Sequence, residues 1–415
     1  MQVRRRHVIF LQGYDPRGRA AYYRMFRSEL RKFGQLYDLS PRITKPRPSP
    51  DDLSAAWTID TEGPGWQAST TYEFLRWEDL VQRDRQAPIW RTIIEALAIY
   101  AWLVVSGLLR RFARAHWRFA VFISYPYLVL LAETLVAAGF GYGAYLAALA
   151  FGLPAIAGLA VATAAFVAAL GAMIVRAEAR TFMLYLMADT IFTYRFAHRQ
   201  RPDWDERIEH FARHLVAVAQ SSDADELLVV GHSSGSFLGI EIMARALALD
   251  PALGRHGPRI VLFTVGGNLP IVGFLPVSQP FRDKLRRLAV EPSIDWVDCQ
   301  SRKDVMNFFP FDPIAGHGIE TGDARRNPLV TTIRLRDMID PARYNLFRWQ
   351  FFRVHFQFVM ANDRPNAYDF FMIVCGPVSL KDRIMRPEQA LAIAAGNAES
   401  RERAWRAIRA PAVAD

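Results

Sequence analysis

The sequence predicts an α/β protein: a mostly parallel sheet flanked by helices, interrupted by a helical transmembrane hairpin. Three observations carry this. Short apolar runs alternate with helix-length segments on both sides of a central block. That block, residues 119–175, holds a single ionisable acid or base, Glu133, tyrosines aside. And one apolar run, Leu227–Val230, leads through Gly231-His232-Ser233-Ser234-Gly235 into a segment rich in Ala, Leu and Ile.

The elements follow in order. Val8–Gln12 reads as a buried strand ending in the turn signal Gly13-Tyr14-Asp15-Pro16. A helix is expected over Tyr22–Phe33. Two strands, Ala55–Asp60 and Thr70–Leu75, are joined by Gly63-Pro64-Gly65. After the central block, Asp203–Ala219 reads as a helix with acids at its start. Ser236–Leu249 is expected as another helix. Ile260–Val265, Ile294–Val297 and Met372–Cys375 are expected as further strands. Tyr368, Phe370 and Phe371 read as core aromatics. From Pro387 the chain is rich in Ala, Arg and Glu, predicting a helix and then a frayed end.

A single helix over residues 119–175 would run about 85 Å at ~1.5 Å per residue, against a bilayer core ~30 Å thick. The block therefore suits two spans, with Gly152-Leu153-Pro154 as the turn and a softer break at Gly139, Gly141 and Gly143. A wholly buried helical core is the alternative, and the length of the uncharged run weighs against it. Thr92–Leu109 is apolar but shorter and contains Glu95, so it is expected in the interface or packed on the hairpin. The expected organisation is 1–118, the first part of the globular domain with this apolar helix; 119–175, the hairpin; 176–385, the main globular part; and 386–415, the tail.

The chain has 415 residues, 51% hydrophobic and 22% charged, with a net charge of +10. Its arginines crowd the block: Arg110, Arg111, Arg114 and Arg118 before it, Arg176 and Arg180 after it. That placement points to positive membrane flanks rather than to nucleic acid, for which no zinc-finger spacing or aromatic RNA-binding signature speaks. Positive flanks at both ends place both globular parts in the cytoplasm, at the inner membrane if the cell is bacterial. The first residues, MQVRRRHVIFLQGY, lack a long apolar region, so no cleaved signal peptide is expected.

No metal or organic cofactor is expected. Cys299 and Cys375 form no CxxC pair. His210 and His214 are four apart on a predicted helix, but the glutamate of a metalloprotease motif is missing, so a solvated face is the plainer reading. Gly266-Gly267 follows a strand without the lysine of a phosphate loop. Oligomeric state is not legible.

The pentapeptide around Ser233 matches G-x-S-x-G. Its context gives it weight, because a strand before and a helix after are what a nucleophile elbow requires. A serine hydroxyl needs a base, an oriented third group and donors for an oxyanion. The donors expected here are the backbone N–H of Ser234, directly after the nucleophile, and that of Tyr14 in the loop after the first strand. His232 reads as a packing or hydrogen-bonding residue rather than the base.

With these features the chain resembles the α/β-hydrolase superfamily, in its serine lipase and esterase branch, over about residues 7–87 and 180–380. The resemblance implies the chain order nucleophile, acid, histidine. Asp304 is preferred as the acid: Asp304-Val-Met-Asn-Phe-Phe-Pro310 is similar to the stretch around the acid of many lipases. Asp298 is its rival and Asp312 a weaker one. His317 and His355 both follow Asp304. His355 is preferred as the base, because 51 residues leave room for another element between acid and base, whereas 13 do not. The resemblance thus implies cleavage of carboxylic esters, with lipids favoured by the membrane location. Acyl transfer or thioester cleavage would use the same residues, and a non-catalytic membrane scaffold is the competing reading.

Overall fold

The computed structural model describes residues 2–394. Nine strands form one sheet: β1 (Arg5–Leu11), β2 (Arg42–Ile43), β3 (Arg47–Pro48), β4 (Ser54–Gly63), β5 (Trp66–Leu75), β6 (Glu226–His232), β7 (Arg259–Val265), β8 (Ile294–Gln300) and β9 (Leu329–Thr332). Their order is β2-β4-β5-β1-β6-β7-β8-β9, with β3 also on β4. From β5 to β9 every neighbouring pair is parallel. The β4–β5 hairpin and its partners β2 and β3 are antiparallel, so the sheet is mixed. The expected hairpin at Gly63–Gly65 is present, with Gly65 at φ 78° where a side chain would be strained. The sheet is thus mostly but not purely parallel: its antiparallel part is the expected β4–β5 hairpin, to which the two-residue strands β2 and β3 add, and these two and β9 are too short to stand out by periodicity.

Helices make up most of the rest of the described residues. α1 (Arg19–Tyr37) buries Tyr22, Phe26, Leu30, Phe33 and Tyr37, a spacing of three and four that makes one apolar stripe. It stops at Asp38 in the left-handed conformation, whose N–H donates to Gly34. α2 (Glu78–Asp84), α3 (Ile89–Val105), α4 (Leu108–Ala150), α5 (Ala155–Thr181) and α6 (Met183–Ala197) follow. Then come α7 (Pro202–Ser221), α8 (Gly235–Leu249), α9 (Leu269–Gly273) and α10 (Gln279–Val290). The last are α11 (Leu335–Met338), α12 (Pro341–Phe347), α13 (Phe351–Phe356), α14 (Phe370–Cys375), α15 (Leu380–Met385) and α16 (Pro387–Ala394). The expected tail beyond α16 lies outside the described residues.

Met372–Cys375, expected as a strand, belongs to α14 instead. A four-residue apolar run fits a buried strand and a buried helix equally. The deciding residue is Asp369, whose carboxylate caps the helix by accepting from the Met372 N–H at 3.0 Å. The core is correspondingly aromatic: Phe26 packs on Trp57, Tyr72 and Phe371, and Phe10 on Tyr22, Phe74 and Phe370.

The described residues divide into two compact units, one reaching Gln82 and resuming at Phe196, the other Arg83–Arg195. The second holds two helices, α4 and α5, each long and apolar enough to cross a membrane. They extend past both ends of the expected block. Their turn lies at 151–154, with Gly152 at φ 79°. Close approach needs small residues: a Cβ on Gly141 would sit 3.0 Å from the Ala162 carbonyl oxygen. The helix does not break at Gly139–Gly143; the interruption is at His116 (φ −159°, ψ 98°). α3 packs on α4, with Tyr100 stacked on Tyr127 at 4.0 Å and the Tyr127 hydroxyl donating to Ala96 O at 3.2 Å. Glu95, the acid in this apolar stretch, pairs with Arg195 at 2.6 Å.

In the first unit, His210 and His214 do not share a ligand. His214 and His7 both meet Glu73 Oε2, at 2.9 and 3.2 Å, and the Ser54 hydroxyl donates to Oε1; His210 meets Asp51 at 2.9 Å. Burial alone would raise the Glu73 carboxyl, but bonds from His214 and His7 hold it well below the usual range. The bond to Glu73 in turn raises His214. The Glu73 contribution is present above about pH 4.3 and is lost as pH falls; the His214 contribution is present below about pH 6.5 and is lost as pH rises through its raised value. Thermal unfolding of the detergent-solubilised chain should therefore show a stability maximum between about pH 5 and 6.5 that Glu73→Gln flattens. An unchanged pH profile in that variant would show that the cluster contributes nothing.

Candidate active site

β6 lies in the middle of the sheet, between β1 and β7, and every residue in it is buried. The chain leaves its carboxyl end through Ser233 at φ 57°, a left-handed conformation for a residue with a side chain, at a cost of about 1–3 kcal/mol. The surroundings hold it there. The Ser233 N–H donates to Val265 O at 3.1 Å, and its carbonyl accepts from the Ser236 N–H at 2.9 Å. Gly231 and Gly235 are required sterically. A Cβ on Gly231 would lie 2.4 Å from Gly235 O, and one on Gly235 would lie 2.3 Å from Leu11 O. The missing side chains thus let α8 begin hard against the end of β1.

The loop after β1 comes equally close. A Cβ on Gly13 would lie 2.8 Å from Ser233 Cβ and 3.1 Å from Ser233 Oγ. Tyr14, next in the chain, is buried. Ser234 caps α8 in helical conformation, so its N–H is among those at a helix start that have no partner within the helix. These are the two backbone donors expected from sequence, and both belong to segments that meet at Ser233.

Asp304 and His355 come together. Asp304 is fully buried in the loop after β8, and its Oδ2 meets His355 Nδ1 at 2.7 Å. Its Oδ1 accepts from the Met306 N–H at 3.0 Å. Asn307 braces the loop, donating to Asp304 O and Ser301 O and accepting from the Ser301 N–H. His355 lies on α13, after β9. The aspartate fixes the tautomer: Nδ1 carries the proton, which leaves Nε2 as an acceptor. Nε2 is buried and makes no hydrogen bond in this structure, to Ser233 or any other described residue.

His355 borders both the turn at Ser233 and the end of β7. Its ring centroid is 4.5 Å from that of His232, and its Cε1 is 3.2 Å from where a Cβ on Gly266 would stand. His232 Nε2 lies 3.2 Å from the His355 carbonyl oxygen, so Nε2 is the protonated nitrogen that donates. Burial, and then the neighbouring His355, push the His232 imidazole well below its ordinary value, so it stays neutral. His232 therefore tethers the backbone that carries His355.

The rivals sit elsewhere. Asp298, on β8, accepts from the Thr264 hydroxyl and from Gln300 Nε2 at 2.7 Å, and burial raises its carboxyl to about 6. No histidine meets it. Asp312 pairs with Arg325 at 2.7 Å. His317 donates from Nδ1 to Pro313 O at 2.6 Å, with its ring between Phe274 and Phe311. A Cβ on Gly273 would lie 2.2 Å from His317 Nε2, so that glycine makes room for the ring.

Sequence reasoning read His232 as a packing or hydrogen-bonding residue but overlooked Asn307 and Asn268, whose Nδ2 is 3.5 Å from Ser234 Oγ. One signal for Asn268 was available: it follows β7 on the carboxyl side of the sheet, where loops of parallel strands gather. No group of three or more His, Cys, Asp or Glu among the described residues is arranged to hold a metal ion. Compared with known proteins, the chain matches no family model, no curated protein and no solved structure.

Proposed function

We propose that the protein is a membrane-anchored serine hydrolase of α/β-hydrolase type, in the lipase and esterase branch, that cleaves carboxylic esters, with lipids favoured as substrates by location. The observation that carries this reading is the 2.7 Å Asp304–His355 pair beside a serine in a left-handed strand-to-helix turn. Serine, aspartate and histidine follow β6, β8 and β9, on the carboxyl side of one parallel array.

In the proposed reaction Ser233 Oγ attacks the ester carbonyl while His355 Nε2 takes its proton. Asp304 holds the imidazole and stabilises its charge. The N–H groups of Ser234 and Tyr14 receive the developing oxyanion. The tetrahedral intermediate expels the alcohol, which takes the proton from His355 and leaves an acyl enzyme. Water then resolves it by the same route in reverse. Transfer to another acceptor, or cleavage of a thioester, would use the same groups.

The unmade bond between Ser233 and His355 Nε2 favours a second reading, a hydrolase-like domain retained as a membrane scaffold or partner-binding module. Catalytic hydrogen bonds often tighten only with substrate bound, so an open bond is compatible with the enzyme. A fluorophosphonate probe on the folded full chain separates the two readings. Covalent capture at Ser233 supports the enzyme; folded protein that stays unlabelled supports the scaffold.

The proposed orientation has both flanks of the hairpin in the cytoplasm. β1 and β6 pair in one sheet, so the chain crosses the membrane an even number of times between them. Arginines at both hairpin ends favour the cytoplasmic side. Ser40→Cys and Ser221→Cys, both at exposed positions, are to be tested singly in a background lacking Cys299 and Cys375. Both should resist an impermeant thiol reagent in intact cells and react after lysis. Reaction of either from outside would refute the orientation.

A further inference from the structure

Among the described residues outside 83–195, the two most exposed large apolar side chains are Trp349 at 78% and Leu346 at 75%. They are close neighbours, at the end of α12 and in the link to α13. The stretch 341–356 around them contains Arg343, Arg348 and Arg353 but no aspartate or glutamate. It also holds Tyr344, Phe347, Phe351, Phe352 and Phe356. Cations crown the exposed indole: Lys303 Nζ lies 4.3 Å from the Trp349 ring centroid and the Arg348 guanidinium 5.4 Å. Arg343 pairs with Asp363, whereas Arg348 and Arg353 are exposed and make no ion pair among the described residues.

Leaving a tryptophan and a leucine this far in water is unfavourable, and aromatic rings mixed with unpaired arginines are the composition of a bilayer's headgroup region. We infer that the 341–353 rim docks on an anionic phospholipid surface, with Trp349 and Leu346 entering the headgroup layer and Arg348 and Arg353 meeting lipid phosphates. Charge complementarity selects this occupant over an apolar protein groove. The same chain carries two helices long enough to cross a membrane, so the rim is tethered near a bilayer and weak contacts suffice to populate docking. The inference does not depend on catalysis. Under the hydrolase reading it adds that α13, which carries His355, begins at the lipid surface.

The test uses the full chain in nanodiscs of phosphatidylcholine and phosphatidylglycerol. Leu346→Cys, and separately Trp349→Cys, carry a bimane label in a background with Cys299 and Cys375 replaced by alanine. Both positions are exposed, so neither label disturbs packing. Doxyl-labelled lipid should quench the fluorophore and aqueous iodide should not. Replacing both Arg348 and Arg353 with glutamine should weaken the docked state by about fivefold per charge, and all-phosphatidylcholine discs should reproduce that loss. Quenching by iodide alone would overturn the inference, since the rim would then face water. Shielding from both quenchers would overturn it in favour of a protein partner or second copy. Lipid quenching indifferent to the arginine changes would overturn the role given to the charges.

Discussion

Ser233→Ala should abolish fluorophosphonate labelling and reduce ester hydrolysis by on the order of 10³–10⁶-fold while leaving the protein folded. Loss of the hydroxyl removes the only nucleophile the proposed route contains. The fold should tolerate the change, because alanine is smaller and retains the Cβ already accommodated at φ 57°. The hydrogen bonds to Val265 and from Ser236 use the Ser233 backbone and survive. Hydrolysis retained in a preparation free of other esterases would remove Ser233 from the mechanism.

The second large effect separates the two histidines. His355→Ala and Asp304→Asn should each lower kcat/KM by on the order of 10⁴-fold, because the proposed route needs serine, histidine and aspartate to act as a unit. Asparagine cannot hold the imidazole in the same way: its amide offers a donor where the Nδ1 proton needs an acceptor. His317→Ala should lose far less activity. Its ring is held by Pro313, Phe274 and Phe311, so its loss leaves a void and shows mainly in stability. A larger activity loss at His317 than at His355 would transfer the role of base. Thermal unfolding of each variant separates a weakened nucleophile from a collapsed fold.

The pairing of Asp304 with His355 was legible for a specific reason. Chain order and the spacing between acid and base left few candidates, and the structure brings the preferred two into contact. The elbow was legible because its chemistry and its sterics write the same five residues: glycine is needed wherever a Cβ would strike the end of β1 or the start of α8. Long uncharged sequence likewise made the two apolar helices plain. Other features were hidden because they depend on contacts distant in sequence. Whether Phe370–Cys375 coils or extends is decided by the Asp369 cap. The break at His116 carries no proline or glycine signal, and of the glycines at 139–143 that did suggest a break, Gly141 serves close packing against α5 instead. The histidines of α7 pointed to each other by spacing, yet His214 answers to Glu73 on β5 and His210 to Asp51.

The pairing of β1 with β6 sets a timetable for synthesis. Arg6 and Glu226 form a buried ion pair across 220 residues of sequence. At ~5–20 residues per second, β1 waits roughly 10–45 s after leaving the ribosome before that partner exists. During this interval Val8–Leu11 is an apolar strand without its central neighbour, and both long apolar helices, α4 and α5, are made before that neighbour. β4 and β5 can form in the meantime, giving β1 one edge to rest on. The unpaired edge facing the future β6 is then the segment most in need of a chaperone, and its shelter should end only when the chain reaches Glu226.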